Sequence, residues 1–177
     1  MKNLIIVDHP FVIDSLAHLR DKKTDLKKFR YYSAQLCKLL FSEAIRGLEF
    51  NKVTIETPLE KMEVQKLRDE VIIVPVLRAG LSMLYGSLQL LPKSKVGFVG
   101  LARDEKTAVA EEYYWKLPTI TPHSVVIITD PMLATGGTIL HVLRRVAKEK
   151  AKLIRIVCVV ASPEGVKAIH SEFPEVD

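Results

Sequence analysis

The residues best suited to chemistry lie in one unbroken stretch in the second half of the chain. Asp130 follows an apolar run rich in β-branched residues, 125–129, which is typical of a strand buried on both faces of a parallel sheet. In open α/β sheets ligands bind at the carboxyl ends of the strands, which is where this carboxylate falls. A turn of small residues comes shortly after it. The turn consists of Ala134, Thr135, Gly136, Gly137 and Thr138.

This turn is suited to holding an anion. Gly136 and Gly137 can adopt positive φ and let backbone N–H groups surround a negatively charged group. A helix is predicted next, because apolar residues recur with helical spacing at Ile139, Val142, Leu143, Val146 and Ala147. Its free N–H groups and positive dipole end would face the turn. The stretch predicts a phosphate cradle beside one carboxylate. The alternative is an ordinary strand-to-helix turn with two glycines for tight packing.

Arg78 occupies a comparable position earlier in the chain. It follows the apolar run 71–77, which is the second candidate for a buried strand, although Pro75 near its end disfavours full pairing. A helix is predicted over residues 81–88, up to Pro92. Arg78 therefore lies in a strand-to-helix turn on the ligand-binding rim of the predicted sheet. On residue type alone, an arginine at such a position more commonly caps a helix or pairs at the surface.

Arg103 belongs to a polar segment that also contains Asp104, Glu105, Lys106 and Thr107. The segment lies between a predicted strand at 96–101 and an alternating stretch at 112–117 that is expected to pair back against it. A charged tip between two strands is most often only a loop. The aromatic residues 113–115 are predicted to pack on the sheet rather than to stack on a base.

The remaining elements complete an α/β pattern. Helices are predicted over residues 11–18, over 27–46 with Gly47 just beyond the end, and after Ser162 as N-cap. A further buried strand is predicted at 153–161, and residues 53–57 and 59–64 are expected to form an exposed hairpin. The predicted fold is a mostly parallel sheet flanked by helices, with an antiparallel hairpin arm. Because a short hairpin cannot bury its apolar face alone, a second subunit is expected to cover it.

Composition excludes several classes of function. A chain of 177 residues that is 48% hydrophobic is expected to form a single domain over residues 1–177. No apolar run approaches the roughly 20 residues of a membrane span, and no signal-peptide pattern opens the chain. Cys37 and Cys158 have no metal or redox spacing, which favours the reducing cytoplasm. Neither a P-loop nor a dinucleotide-binding glycine motif occurs. The net charge of +5 suits a polyanionic substrate but is not specific.

The order of strand, acid, Thr-Gly-Gly-Thr turn and helix resembles the phosphoribosyl-pyrophosphate (PRPP) motif of type I phosphoribosyltransferases. Most members carry two adjacent acids, whereas here Asp130 precedes Pro131, and Pro131, Met132, Leu133 and Ala134 resemble the uracil phosphoribosyltransferase branch. Similar matches cover residues 9–10, 19–24, 29–30, 55–59, 74–81, 100–104, 113–118 and 159–166. The resemblance therefore spans nearly the whole chain.

The resemblance implies that uracil and PRPP react to give UMP and diphosphate. Asp130 would bind the ribose hydroxyls, and Ala134 to Thr138 would hold the 5′-phosphate, within a PRPP-binding stretch that also includes Pro131, Met132 and Leu133. Arg78 and Arg103 would take the departing diphosphate, since a guanidinium binds phosphate oxygens in pairs. Mg²⁺ is expected to enter with PRPP, and no protein ligand for it is identified in the sequence. The hairpin resembles the family's intersubunit arm, which implies a homodimer or a larger homo-oligomer.

Family members continue past the position of Asp177 into a strand and a glycine-rich loop that recognises uracil, whereas the present sequence stops there. We therefore expect the 177-residue chain to bind PRPP but to turn over uracil poorly. Two alternatives stay open. One is a non-catalytic regulator that binds PRPP or a nucleotide, and the other is a phosphoribosyltransferase for another base. Binding to a membrane is not expected, and binding to nucleic acid is disfavoured.

Overall fold

The computed structural model describes residues 3–103 and 110–177, and within them the chain forms ten strands and five α-helices. The strands are β1 (Phe50–Glu56), β2 (Lys61–Leu67), β3 (Glu70–Leu77), β4 (Lys95–Val96), β5 (Phe98–Arg103), β6 (Ala110–Lys116), β7 (Ser124–Thr129), β8 (Met132–Leu133), β9 (Leu153–Val157) and β10 (Val160–Ala161). The helices are α1 (Pro10–Arg20), α2 (Leu26–Ala44), α3 (Leu81–Leu90), α4 (Gly137–Val146) and α5 (Pro163–Glu172).

The central sheet has the strand order β6-β5-β3-β7-β9, with the short β4 paired beside β3. Strands β3, β4, β5, β7 and β9 all run parallel to one another, and β6 returns antiparallel to β5. Every residue of β7 is buried, as the apolar run at 125–129 predicts. The mostly parallel sheet expected from the sequence is confirmed.

Helices cover both faces of this sheet. Ile72 and Val126 pack in one layer with the apolar faces of α4 and α5. Their neighbours Ile73 and Ile127 point the other way and pack with Phe41 of α2 and residues of α3. This alternation explains why the strands read as continuous apolar runs, since both of their faces are covered. Among the described residues, no helix combines the length and the apolar character needed to cross a membrane.

The interruption predicted at Pro75 affects only one side of β3. On the β7 side Pro75 stays in register opposite Thr129. On the other side β4 pairs as far as Ile73, and β5 begins pairing only at Val76. The Ile73 carbonyl accepts from Gly97 N–H at 3.0 Å, so Pro75, two residues on, faces the same side. The side of Pro75 that lacks an N–H donor therefore faces the gap between β4 and β5. No hydrogen bond of the sheet is lost there.

The strand predicted over residues 153–161 is divided into β9 and β10. The chain bends after Val157, and the N–H groups of Val159 and Val160 both donate to the Pro131 carbonyl at 3.1 Å. β10 then pairs in parallel with β8, outside the central sheet. Both strands contain only two residues, which is too short for a periodic pattern to reveal them. Because β8 precedes α4 and β10 precedes α5, their pairing places the starts of these two helices close together.

The predicted hairpin is present and is longer than expected. β1 and β2 form a separate antiparallel sheet with Phe50 opposite Leu67, and Leu59 at its tip is 96% exposed. At the base, the Asp69 carboxylate accepts from Lys152 Nζ at 2.7 Å and from Glu49 N–H at 2.9 Å. Burial by itself raises the pKa of Asp69, but these hydrogen bonds outweigh it and hold the pKa below the ordinary value. The base of the arm is thereby anchored beside β9.

Candidate active site

Arg78 and Asp130 leave the sheet at the same edge. β3 and β7 are parallel neighbours whose last register pair is Pro75 and Thr129, and each residue of interest follows within a few positions. Asp130 is half-buried and Arg78 is exposed. The structure therefore brings together the two strand-to-helix turns that the sequence selects independently.

The carboxylate of Asp130 is oriented by its own turn. Asp130 N–H donates to the Val157 carbonyl at 3.3 Å, and Oδ1 accepts from Met132 N–H at 3.3 Å. An aspartate that accepts from the N–H two residues later forms a local turn that fixes the side chain. The carboxyl group thus belongs to the same rigid segment as β8.

Cys158 lies within the electrostatic influence of Asp130, although its position in an apolar run gives no sign of this. The pKa of the Cys158 thiol is raised to about 12, mainly by burial and secondly by the negative charge of Asp130, while a hydrogen bond with the Asp130 backbone acts in the opposite direction. The thiolate is the nucleophilic form of cysteine. The raised pKa therefore favours the protonated thiol of Cys158 at neutral pH.

The turn at residues 134–138 leads directly into α4, whose first residue is Gly137. Gly136 has φ +86°, in the left-handed region, and precedes the helix as its N-cap. Among the described residues, no side chain caps α4. The N–H groups of its first turn have no acceptor within the helix, and they carry the positive end of the dipole. An anion that binds beside Gly137 would meet these donors.

The conformational role expected of the two glycines belongs to Gly136 alone. Gly137 has no positive φ, so the expectation that it also needs one is corrected. Within the described chain, a Cβ on Gly137 would meet nothing closer than Thr135 Oγ1 at 4.0 Å. The first helical residue has an ordinary φ, so its backbone conformation does not require glycine. What glycine provides at this position is open space at the start of the helix.

Arg78 lies at the side of a cavity between β3 and the ribbon formed by β5 and β6. The cavity is lined by Leu77, Arg78, Ala79, Leu101, Ala102 and Tyr113. The peptide bond between Leu77 and Arg78 is cis, and Gly80 N–H donates to the Val76 carbonyl at 2.8 Å. A Cβ on Gly80 would collide with the backbone of Val76 and Thr129, so glycine allows the Arg78 turn to fold back over the strand ends.

Two of the three aromatic residues of β6, Tyr113 and Trp115, lie in different environments. The ring of Tyr113 occupies the space beside Gly100 where a Cβ would stand, and it also lines the Arg78 cavity. Trp115 packs partly buried against the core, with the Arg145 guanidinium over its ring. The predicted sheet packing is thus seen for Trp115, while Tyr113 in addition faces the site.

Arg103 is the last residue of β5, and its backbone is in register with Ala110. The Arg103 side chain lies outside the part of the structure that is described, and so do residues Asp104, Glu105, Lys106 and Thr107. The predictions made for them therefore stay predictions. The β5 strand itself lies next to β3, so its end reaches the rim of the Arg78 cavity. The backbone placement is compatible with the role that the resemblance assigns.

Glu112 links the ribbon to the helix that begins at the cradle. Its Oε1 accepts from Arg145 NH1 at 2.5 Å, and Oε2 lies 3.2 Å from His141 Nε2. The hydrogen bond from Arg145 is the main cause that holds the pKa of Glu112 below its ordinary value. No sequence pattern indicates this cluster, since its members lie on β6 and α4 and meet only in the folded chain.

Few of the described side chains at this rim are suited to bind a metal ion. Within the described residues, no group of three or more histidine, cysteine, aspartate or glutamate side chains could hold one. The carboxylate of Asp130 is a hard oxygen ligand of the kind Mg²⁺ accepts. A magnesium ion bound here would therefore need further ligands from a substrate and from water.

The chain was compared with known proteins at the levels of family, sequence and fold. A family model described as uracil phosphoribosyltransferase matches residues 6–177. The uracil phosphoribosyltransferases of Bacillus cytotoxicus and Bacillus thuringiensis (strain Al Hakam) are 41% and 42% identical over 178 aligned residues. In both cases the alignment covers 100% of this chain and 85% of the relative.

Two solved structures share the fold of this chain. The AQ2163 protein from Aquifex aeolicus has a TM-score of 0.92 at 36% identity, over 97% of this chain and 83% of that protein. A hypoxanthine-guanine phosphoribosyltransferase from Bacillus anthracis has a TM-score of 0.57 at 15% identity, over 76% and 69% of the two chains, and so shares the fold. Since the family model covers almost every residue and relatives exceed 40% identity over the full chain, the chain belongs to the uracil phosphoribosyltransferase family.

Proposed function

We propose that this protein transfers the phosphoribosyl group of PRPP to N1 of uracil and releases UMP and diphosphate. The observation that carries the proposal is that Asp130, the uncapped start of α4 and Arg78 lie on one edge of the sheet. PRPP carries a phosphate at one end of its ribose and a diphosphate at the other. Asp130 borders one pocket together with the cradle, and Arg78 lines another at the end of the neighbouring strand, which matches that arrangement of charges.

The 5′-phosphate is assigned to the turn of Ala134, Thr135, Gly136, Gly137 and Thr138. Backbone N–H groups at the start of α4 would donate to its oxygens, and the helix dipole favours its charge. The hydroxyl groups of Thr135 and Thr138 add donors that do not depend on the backbone. Pro131, Met132 and Leu133 connect this turn to Asp130 through β8.

Asp130 is assigned to the ribose hydroxyls. A carboxylate accepts two hydroxyl hydrogen bonds readily, and the Met132 N–H already holds one of its oxygens. Bound in this way, the ribose places C1′ between the base and the diphosphate. As the bond from C1′ to the diphosphate oxygen breaks, N1 of uracil forms the new bond to C1′ and loses its proton. Positioning and charge stabilisation suffice for such a step, so no covalent nucleophile is required.

Arg78 and Arg103 are assigned to the diphosphate, whose negative charge increases as it leaves. Arg78 lines the cavity, and Arg103 ends the neighbouring strand. Mg²⁺ is proposed to enter with PRPP. Phosphate oxygens and water would supply most of its ligands, and its charge would offset that of the diphosphate. Asp130 is the residue on this rim best suited to contact it.

We further propose a homodimer in the cytoplasm. The hairpin of β1 and β2 projects from the domain with apolar side chains in contact with solvent, including Phe50, Leu59 and Met62. A patch of this kind in a soluble protein usually belongs to an interface. Cys37 and Cys158 are free thiols, which suits a reducing compartment.

The proposal is tested with the purified chain, PRPP, Mg²⁺ and labelled uracil. We expect PRPP to bind in calorimetry and UMP to form faster than the nucleotide of cytosine, hypoxanthine or guanine. Asp130→Asn, which keeps the size of the side chain, should lower UMP formation by at least about 100-fold, the scale of removing a positioned charge from an active site. Absence of PRPP binding by the unaltered chain, or preference for another base, would overturn the proposal.

A further inference from the structure

Ser162 lies behind the phosphate cradle and makes three hydrogen bonds there. Its Oγ donates to the Ala134 carbonyl at 2.5 Å and accepts from Gly165 N–H at 3.0 Å. Its own N–H donates to the Leu133 carbonyl at 2.8 Å. A carbonyl can only accept and an N–H can only donate, so the single hydroxyl proton of Ser162 must point at Ala134. Ser162 therefore serves as the N-cap of α5 and as a donor to the cradle at the same time.

The hydrogen bond to Ala134 determines which way the next N–H points. Within the described residues the only cis peptide bond joins Leu77 and Arg78, so the bond between Ala134 and Thr135 is trans. In a trans peptide the carbonyl and the following N–H point in opposite directions. With the Ala134 carbonyl held towards α5, the Thr135 N–H is directed away from α5, to the open side of the cradle.

The first turn of α5 is shaped to sit against the same loop. A Cβ on Gly165 would collide with the Ala134 carbonyl oxygen, and a Cβ on Gly136 would come within 3.2 Å of the Gly165 carbonyl oxygen. The pairing of β8 with β10 fixes the register of the two chain segments that lead into this contact. Glycine at position 165 is therefore needed for the backbone of the loop and the helix to approach so closely.

We propose that Ser162 is a positioning residue for the 5′-phosphate of PRPP. Its hydroxyl keeps the Ala134–Thr135 peptide in the one orientation that presents an N–H, rather than a carbonyl oxygen, to the phosphate. Without that hydrogen bond the peptide can rotate, and a carbonyl dipole turned towards the anion opposes binding. The inference rests on the proposed function, because it assigns the 5′-phosphate to this turn, and Ser162 itself does not touch the substrate.

The test compares ligands that occupy different halves of the site. Ribose 5-phosphate carries the phosphate and the ribose, whereas diphosphate carries only the group assigned to Arg78. For Ser162→Ala we expect ribose 5-phosphate and PRPP to bind about tenfold more weakly, the scale of one lost hydrogen bond. Diphosphate affinity should stay within about twofold of the unaltered protein, since that group makes no contact with the cradle. In the reaction, KM for PRPP should rise by about tenfold with kcat nearly unchanged.

Three further variants separate positioning from helix stability. Ser162→Thr retains both the donor and the cap and should restore affinity. Ser162→Gly removes the hydroxyl but remains a good N-cap, so it should weaken ribose 5-phosphate as much as Ser162→Ala while lowering the Tm less. Glu172→Gln removes the bidentate pair with Arg144 that joins α5 to α4, at 2.7 Å for each contact, and should lower the Tm without changing ribose 5-phosphate affinity.

Two results would overturn the inference. One is normal ribose 5-phosphate binding by Ser162→Ala and Ser162→Gly. The other is a loss that affects diphosphate equally and follows the Tm across all four variants, because Ser162 would then act only on the stability of α5. Failure of the proposed function is distinguishable from both, since in that case the unaltered protein would not bind PRPP.

Discussion

The guanidinium carbon of Arg145 lies 3.7 Å from the centre of the Trp115 ring. Arg145 belongs to α4, the helix that begins at the phosphate cradle, and Trp115 belongs to β6, the outer strand of the ribbon beside the Arg78 cavity. The same guanidinium donates to Glu112 on that strand. One side chain therefore joins the half of the site assigned to the 5′-phosphate to the half assigned to the diphosphate.

Replacing Arg145 with alanine should uncover one face of the indole. Trp115 is the only tryptophan in the sequence, so its fluorescence reports directly on this contact. We expect a red-shifted emission maximum and a loss of about 1 kcal/mol in the free energy of unfolding, as for a cation–π contact combined with a hydrogen bond. Arg144→Ala is the matched control, because Arg144 pairs with Glu172 instead. An unchanged emission spectrum in Arg145→Ala would contradict the contact.

Glu112→Gln should destabilise the protein at neutral pH by about 1 kcal/mol, because a neutral amide binds Arg145 less strongly than a carboxylate does. The pKa of Glu112 is lowered in the folded protein, mainly by the hydrogen bond from Arg145. Its stabilisation is therefore present above the ordinary glutamate pKa and is lost as the pH falls through the lowered value. Urea unfolding at pH 7 and below pH 4 should show the difference between the two proteins shrinking in acid. A difference that stays constant with pH would count against the ion pair.

Gly137→Val should abolish PRPP binding while leaving the fold nearly intact. Gly137 has ordinary backbone angles and open space around its missing Cβ, and valine is a better helix former than glycine, so the substitution should cost the fold little. Its methyl groups would fill the space at the start of α4 that the phosphate is proposed to occupy. Calorimetry should show PRPP affinity reduced by at least about 100-fold, as expected when several hydrogen bonds to an anion are blocked. Affinity within a few-fold of the unaltered protein would place the cradle elsewhere.

Gly136→Ala, in contrast to Gly137→Val, should destabilise the fold. Gly136 has φ +86°, and a Cβ there would approach the Gly165 carbonyl oxygen to 3.2 Å. We expect a loss of at least about 1 kcal/mol in the free energy of unfolding. Gly47→Ala is the control, because Gly47 has φ +79° and no atom of the described chain would lie within 4 Å of a Cβ there. If Gly136→Ala cost no more than Gly47→Ala, the close contact with α5 would contribute nothing.

Arg103→Ala should lower kcat more than it raises KM for PRPP. A side chain that binds the departing diphosphate stabilises the transition state more than the bound substrate, because the charge on that group increases as the bond breaks. Steady-state kinetics with uracil and PRPP separate the two effects. A change confined to KM would mean that Arg103 only captures the substrate.

The hairpin predicts a dimer in solution. Leu59 at the tip is 96% exposed, and such a side chain gains from burial against a second chain. Sedimentation equilibrium at micromolar concentration should give the mass of at least two chains, and Leu59→Glu should weaken the assembly. Lys148→Glu, also an exposed change of charge but outside the hairpin, should not. A stable monomer of the unaltered protein would rule the dimer out.

Local patterns in the sequence predicted the elements that carry strong periodicity. The buried run that became β7, the amphipathic α4 and the Ser-Pro start of α5 all appear where expected, because each is determined by residues close together in the chain. The β8–β10 pair could not be foreseen, since two residues show no period and the bend after Val157 depends on the distant Pro131 carbonyl. The contacts of Glu112 with His141 and Arg145 likewise exist only through the tertiary register of β6 and α4.

Of the candidate site, the sequence located Asp130 and Arg78 on one rim, because parallel strands all end at the same edge. It did not distinguish the two cradle glycines, since a φ angle depends on how the loop meets its neighbours. Ser162 was recognised as a helix cap, but the Ser-Pro-Glu-Gly sequence carries no sign that its hydroxyl also reaches Ala134. Gly165 was the available clue, because a glycine in the first turn of a helix often marks a close backbone contact.

β3 and β5 share two register pairs, at Val76 and Leu77, whereas β3 and β7 share six. This asymmetry should appear in hydrogen–deuterium exchange. Amide protons of β7 have ladder partners on both sides and should exchange only when the whole domain unfolds, while those of β5 and β6 can exchange through a smaller opening that detaches the ribbon. We therefore expect β5, which ends at Arg103 and lines the Arg78 cavity, to exchange faster than β7.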